Sequence, residues 1–157
     1  MREVCERLSA AEEMRARADA LVTRVTARGR LPLDYSERSL RLVDFLIDGL
    51  RKGGADRERA RETLLGLGAY VGEVLVRRAG AVWVDFDAGR RAYFGQPAGV
   101  RMGDGRVWNP LGKVVNRFDA GGPEESLQTF RLTLHGRVRR TAARRLAANA
   151  PRAVTNL

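Results

Sequence analysis

One carboxylate, Glu73, stands in surroundings that could give it acid–base chemistry. It lies beside Gly72 within the most apolar stretch of the chain, residues 64–76, and burial raises the pKa of a carboxyl group toward the range of a general acid or base. The same residue is placed to form an ordinary ion pair with Arg77, one turn later at the helix surface. Because no nucleophile or base is recognisable beside Glu73, we favour the ion pair and predict no catalytic residue.

Acidic side chains also recur around the predicted strands, where a metal ion is the chemistry to consider. Asp85 and Asp87 project to the same side of one strand, and Asp104 lies in a turn between two glycines. Mg²⁺ and Ca²⁺ need several oxygen ligands that converge on one point, whereas two alternating aspartates are typical of a solvated strand. We therefore predict no metal and no cofactor. An enzyme built on Glu73, these aspartates and the only histidine, His135, is the lesser alternative.

Aromatic and arginine side chains form a third group, at positions predicted to lie on strands. Trp83, Tyr93 and Trp108 are expected to share one sheet face with Arg91 and Arg106. Such a face can stack the bases of single-stranded nucleic acid, and it is equally typical of protein interfaces, where Trp, Tyr and Arg are enriched. No nucleic-acid motif surrounds these residues. We therefore predict a non-enzymatic protein-binding or adaptor protein that contacts its partner through these five side chains.

Positive charge is concentrated toward the C-terminal end of the chain. The net charge is +10, and residues 126–157 contain seven arginines and no acidic residue. The basic row of the predicted helix consists of Arg137, Arg140 and Arg144, and Arg145 adds to it. Such a row can neutralise phosphates, so the alternative prediction is sequence-independent nucleic-acid binding through residues 137–152. A solvated helix and an acidic protein partner stay open, since the excess of arginine over lysine is typical of a GC-rich genome.

Three helices are predicted in the first half of the chain. Their bounds are Ser9 to Gly29, Ser36 to Gly53, and Asp56 to Gly80. Ser9 and Glu12 have the spacing of a capping box, in which each residue satisfies a free backbone amide of the first helical turn. Gly68 and Gly72 lie four residues apart in the third helix. Each costs up to about 1 kcal/mol relative to alanine, so we expect another element to approach that face closely.

The hydrophobic period then changes to two, which favours strands. Residues 81–87 place Val82, Val84 and Phe86 on one face, a second strand is expected at 91–94, and a hairpin joins 100–102 to 106–108. Short strands with tight turns indicate an antiparallel meander packed on the helices. A short helix at 111–118 and a last helix after Pro123 complete the prediction. The fold class is α+β: N-terminal helices packed on a small antiparallel meander, with a C-terminal Arg-rich helix.

The length of 157 residues fits a single domain. We predict that residues 1–136 form this domain and that residues 137–157 are a basic helical extension, continuous with the last helix. The only cysteine, Cys5, permits no intramolecular disulfide. No segment is apolar for long enough to span a membrane, and the first residues are charged. These features predict a cytoplasmic protein.

Three stretches of the sequence point to known proteins. They are Leu33-Asp-Tyr-Ser-Glu-Arg-Ser-Leu40, Leu67-Gly-Ala-Tyr-Val-Gly-Glu73 with the following Trp83, and Asn109-Pro-Leu-Gly-Lys-Val114. With these stretches the chain resembles a family of small actinobacterial proteins that has no assigned activity. The resemblance implies helices followed by a small antiparallel sheet, and it brings no catalytic residues with it.

Overall fold

A computed structural model describes residues 7–29 and 31–130 of the chain. The helices are α1 (Ala10–Gly29), α2 (Leu40–Lys52), α3 (Arg57–Ala79), α4 (Ala88–Phe94) and α5 (Pro110–Ala120). The strands are β1 (Val82–Asp85), β2 (Ala98–Arg101) and β3 (Val107–Trp108). Two 3₁₀ segments, Glu37–Ser39 and Pro123–Glu125, precede α2 and follow α5, and residues 127–130 begin a further helix. Cys5, His135, the basic row and the predicted boundary at 136 lie outside the described residues.

The predicted starts of α1 and α3 are confirmed by their side-chain caps. The Ser9 amide and hydroxyl both donate to the Glu12 carboxylate, at 2.9 and 2.8 Å, and the Glu12 amide donates back to Ser9 Oγ at 3.3 Å. Asp56 accepts from the Arg59 amide at 2.8 Å. At the other end of α3, Gly80 adopts a left-handed conformation with φ of 67°, which only glycine takes without steric cost. These signals are local, so the sequence alone predicts them.

Helix α3 is the central element of the described fold, as its apolar composition predicts. Its side chains from Leu64 to Leu75 are mostly buried, and α1 and α5 pack against it. The predicted close approaches occur at two glycines. A Cβ on Gly68 would lie 2.7 Å from the side chain of Leu111, and a Cβ on Gly72 would lie 2.2 Å from the indole of Trp83. Because these two glycines have no Cβ, α5 and β1 pack directly against the backbone of α3.

The three strands form an antiparallel sheet in the order β1-β2-β3, so the predicted meander is confirmed. Val82 pairs with Arg101 in the first ladder, and Val100 pairs with Trp108 in the second. The strand expected at 91–94 is wrong, because these residues belong to helix α4. Asp87 caps that helix by accepting from the Arg90 amide at 2.8 Å. A local cap therefore overrides the apolar alternation from which the strand was inferred.

The core continues from the helices into the sheet. Buried side chains from α1, α2, α3, α5 and the sheet form one cluster, which Leu127 and Phe130 join after the last 3₁₀ segment. None of the helices in residues 7–29 and 31–130 combines the length and apolar character needed to cross a membrane.

Candidate functional site

Trp83 lies inside the protein and not on an exposed sheet face. Its side chain is 6% exposed, whereas its neighbour Val82 is 54% exposed. The indole occupies the space over Gly72, and Nε1 donates to Glu73 Oε1 at 3.0 Å. Both faces of β1 carry apolar side chains, and the gap over Gly72 decides which face is buried. The expectation that Trp83 shares an exposed face with Tyr93 and Trp108 is therefore wrong.

Glu73 forms the predicted ion pair with Arg77, but it does so from the interior. The carboxylate is 1% exposed, and its second oxygen accepts from Arg77 Nε at 3.1 Å. Both oxygens are thus engaged, one by Trp83 and one by Arg77. This arrangement joins α3 to β1, and Glu73 belongs to the packing of the core.

Two tyrosines that the sequence analysis did not single out lie next to this ion pair. The guanidinium of Arg77 lies 3.6 Å from the ring centre of Tyr35, which stacks on Tyr70 at 4.8 Å. Tyr35 has a φ of 58°, a left-handed conformation that is uncommon for a residue with a side chain. Its amide donates to Tyr70 Oη at 2.9 Å, and its hydroxyl donates to Asp19. Burial, followed by the bond to Asp19, raises the pKa of Tyr35.

Two of the three aspartates considered for a metal ion have other roles. Asp87 caps α4, and Asp104 accepts from the Arg106 amide at 3.0 Å and from its guanidinium at 2.7 Å. These hydrogen bonds from Arg106 lower the pKa of Asp104. Across the described part of the chain, no group of three His, Cys, Asp or Glu side chains could hold a metal ion.

Four aromatic side chains converge on one recess of about 630 Å³ between α4, α5 and the start of the last helix. They include two predicted site residues, Tyr93 and Trp108, together with Phe94 and Phe130. Tyr93 is 83% exposed and meets Phe94 edge to face at 4.9 Å. Trp108 meets Phe130 in the same manner at 5.3 Å. The recess offers aromatic surface of the kind that partner proteins bind.

A second recess of about 690 Å³ continues the first along α5. The two share Phe94, Gly112 and Asn116 as lining residues, and together we call them the Phe94 groove. Its second half is flanked by ion pairs: Arg17 with Glu13 at 3.2 Å and with Glu62 at 3.4 Å, and Arg57 with Asp119. The groove therefore has an aromatic half and a charged half.

Polar contacts hold the walls of the aromatic half in place. Asn109 accepts from the Gly112 amide at 2.9 Å, which caps α5, and its amide nitrogen donates to the Phe94 carbonyl at 3.4 Å. Lys113 pairs with Glu125 at 2.6 Å and lies 5.8 Å from the ring centre of Phe130. These contacts connect α5 to both aromatic walls.

The two arginines predicted to contact a partner lie beside the groove and are not among its lining residues. Arg91 donates from Nε to the Phe86 carbonyl at 2.8 Å, which holds α4 against the end of β1. Arg106 pairs with Asp104, and its guanidinium lies 5.8 Å from the ring centre of Trp108. Only Arg106 therefore adjoins an aromatic side chain of the groove.

The wall that carries Phe130 is anchored by Asp44, a residue that the sequence analysis missed. Asp44 accepts from the amides of Leu127 and Gln128, at 2.9 and 3.3 Å, and from Ser126 Oγ at 3.2 Å. It also accepts from the buried Arg117 at 3.3 Å. A carboxylate at these amides caps the helix that begins at 127. The capping residue lies in α2, more than 80 residues away, so no local sequence pattern predicts this cap.

Comparisons with protein-family models, with curated proteins and with solved structures find no match to this chain. The resemblance to the actinobacterial family stays a prediction. So does the nucleic-acid alternative, because Arg137, Arg140, Arg144 and Arg145 lie outside the described residues.

Proposed function

We propose that this chain is a non-enzymatic protein-binding protein and that the Phe94 groove receives a polypeptide segment of its partner. The observation that carries the proposal is the gathering of Tyr93, Phe94, Trp108 and Phe130 around one recess. Tyr93 leaves 83% of its surface in water. Aromatic anchors surrounded by a polar rim are typical of the centres of protein interfaces. The proposed location is the cytoplasm, where a lone cysteine stays reduced.

The charges of the groove favour a polypeptide over a nucleic acid. Three of the four basic side chains that line it, Arg17, Arg57 and Lys113, pair with a carboxylate, and Arg61 forms no ion pair within the described residues. Glu124 also lines the aromatic half. Binding of a nucleic acid depends on basic side chains that neutralise its phosphates. Here the carboxylates would repel those phosphates and compete for the same cations. A polypeptide can instead place apolar side chains on the aromatic rings.

Peptide selection tests the proposal directly. A library of random linear peptides is panned on the full chain, and the recovered peptides are measured by fluorescence anisotropy. We expect peptides with an aromatic or branched apolar anchor, and we expect Tyr93→Ala to weaken their binding about tenfold. Phe45→Ala is the matched control, because Phe45 is 63% exposed and does not line the groove. Failure to select any peptide, or equal loss in both variants, would overturn the proposal.

The nucleic-acid alternative is tested on the same protein by gel shift over a range of salt concentrations. Binding through the basic row predicts affinity that falls log-linearly with salt and is lost when Arg137, Arg140, Arg144 and Arg145 are replaced by glutamate. If DNA or RNA binds and Tyr93→Ala weakens that binding, the groove serves nucleic acid and the proposal of a polypeptide partner is wrong.

A further inference from the structure

A third recess lies on a different part of the surface, between the C-terminal halves of α1 and α2 and the N-terminal part of α3. Its volume is about 320 Å³, and it shares no lining residue with the Phe94 groove. Five aliphatic side chains line it: Leu21, Val25, Leu31, Leu46 and Leu50. We call it the aliphatic recess. The rest of its lining consists of Gly29, Thr63 and two arginines.

Among the described residues, the charged side chains that line the aliphatic recess are all of one sign. Arg24 and Arg28 line it one helical turn apart on α1, and both are exposed. No carboxylate is among the lining residues. Within residues 7–29 and 31–130, neither arginine forms an ion pair, unlike Arg17 and Arg57 at the Phe94 groove. Two cations beside an aliphatic surface are thus left without an internal counter-charge in the described structure.

Most of the aliphatic side chains that line the recess are only partly buried in the core. Val25, Leu46 and Leu50 pack against the buried cluster with one side and remain half-buried. Leu31 is also half-buried, in the link after α1. A contiguous apolar patch with a polar rim is a mark of an interaction site. The recess is closer to an open surface than to an enclosed cavity, whereas sites for small ligands enclose most of the ligand surface.

We propose that the aliphatic recess is a second docking surface, which binds an acidic amphipathic segment of a protein partner. Leucine-like side chains of the segment pack on Val25, Leu46 and Leu50. Its Asp or Glu side chains pair with Arg24 and Arg28, since guanidinium groups bind carboxylates with two parallel hydrogen bonds. Arginines one turn apart match carboxylates one turn apart on a partner helix. This surface goes beyond the proposed function, because two separate docking surfaces make the protein an adaptor.

Two designed peptides test the proposal on the full chain. One is an amphipathic helix with leucines at i, i+3, i+4 and i+7 and glutamates on the remaining positions, and the other replaces every glutamate by lysine. Anisotropy should show binding of the glutamate peptide alone, with affinity that falls as salt rises. Equal binding of both peptides, or binding of neither, overturns the proposal.

Variants then locate the binding site. Replacing Arg24 and Arg28 together by glutamate should weaken binding of the glutamate peptide about tenfold or more. Replacing Arg15 and Arg101 by glutamate changes the net charge equally at two other exposed arginines and should have a small effect. Leu31→Ser tests the apolar contact and should also weaken binding. Thermal melting confirms that each variant is folded.

Three results would contradict the proposal. If the control pair weakens binding as much as Arg24→Glu with Arg28→Glu, the peptide responds only to net charge. If Tyr93→Ala abolishes binding of the glutamate peptide, the peptide occupies the Phe94 groove. If dodecanoate displaces the peptide at low concentration, the recess binds a free aliphatic carboxylate and not a polypeptide. If the glutamate peptide binds the aliphatic recess but no peptide binds the Phe94 groove, only the proposed function is overturned.

Discussion

The carboxylate of Glu73 connects helix α3 to strand β1. Its oxygens accept from Trp83 Nε1 at 3.0 Å and from Arg77 Nε at 3.1 Å, and the residue is 1% exposed. An ionised group in the interior is tolerated when it is paired and fully hydrogen-bonded. The side chain therefore determines where the indole of β1 sits on α3.

Removal of this carboxylate should destabilise the fold. Glu73→Ala leaves the indole N–H and the Arg77 guanidinium without their acceptor, and we expect the free energy of unfolding to fall by about 2–4 kcal/mol. Urea unfolding measures this change. Glu62→Ala is the control, because its side chain is 74% exposed and its one ion pair among the described residues is with Arg17. The control should change stability by less than about 0.5 kcal/mol. Similar losses in the two variants would show that Glu73 has no special part in packing.

At the scale of elements, contact with α3 organises the rest of the described fold. Glycines at 68 and 72 allow Leu111 and Trp83 to approach within distances that a Cβ would not permit. Helix α5 and strand β1 thereby pack on the same helix, and the Phe94 groove opens along α5. The position of the groove is thus a consequence of helix packing and not of any motif within the groove.

Two glycine substitutions separate helix propensity from packing. A Cβ on Gly72 would lie 2.2 Å from Trp83, whereas a Cβ on Gly49, within α2, would meet nothing within 4 Å. Alanine is the better helix former, so Gly49→Ala should raise the free energy of unfolding by about 0.5–1 kcal/mol. Gly72→Ala should lower it by about 1–3 kcal/mol, because the indole must move. Thermal or urea unfolding of both proteins checks the signs, and equal signs would contradict this account of the packing.

At the scale of the whole molecule, the two stacked tyrosines connect three helices and the link between two of them. Tyr35 lies in the link between α1 and α2 and bonds to Asp19 of α1, and Tyr70 of α3 bonds to Ser39 Oγ at 2.6 Å. Arg78 of α3 donates to the Tyr35 carbonyl at 3.1 Å. The helical half of the fold is therefore connected through phenol groups that are neutral near pH 7.

This cluster predicts an alkaline limit to stability. Burial raises the pKa of both Tyr35 and Tyr70, so folding favours the protonated phenols. Their contribution is complete below the unfolded-state pKa of about 10 and is lost as pH rises through the raised values of the folded state. The free energy of unfolding should therefore fall above about pH 10. Urea unfolding across this range should give a shallower fall for Tyr35→Phe, and an unchanged slope would contradict the role of Tyr35.

The two proposed docking surfaces share helix α1. Arg17 lines the Phe94 groove and Arg28 lines the aliphatic recess, and their separation of eleven positions corresponds to about 16 Å along the helix. The surfaces differ in chemistry: one is aromatic and lined by charges of both signs, and the other is aliphatic and lined, among the described residues, by arginines alone. We therefore expect the two proposed surfaces to accept two partners of different composition at the same time.

The amino-acid sequence by itself determined the structural features that depend on residues close together in the chain. Helices α1 and α3 follow from the caps at Ser9 and Asp56, the ion pair of Glu73 with Arg77 follows from one helical turn, and the antiparallel meander follows from short strands with turns. The cap at Asp87 was present as well, and it outweighs the alternation that indicated a strand at 91–94. The caps and the ion pair span four residues or fewer, and the turns of the meander are equally local, so residue spacing predicts them.

Only the tertiary structure decided which surfaces are left open. Trp83 is buried because α3 leaves a gap at Gly72, and Phe130 reaches the groove because Asp44 caps its helix from α2. Tyr93 and Trp108 line one recess, although they lie on a helix and a strand and not on a common sheet face. Each outcome depends on a contact between residues distant in the chain. Residue spacing does not identify the partner in such a contact, because packing among elements selects it.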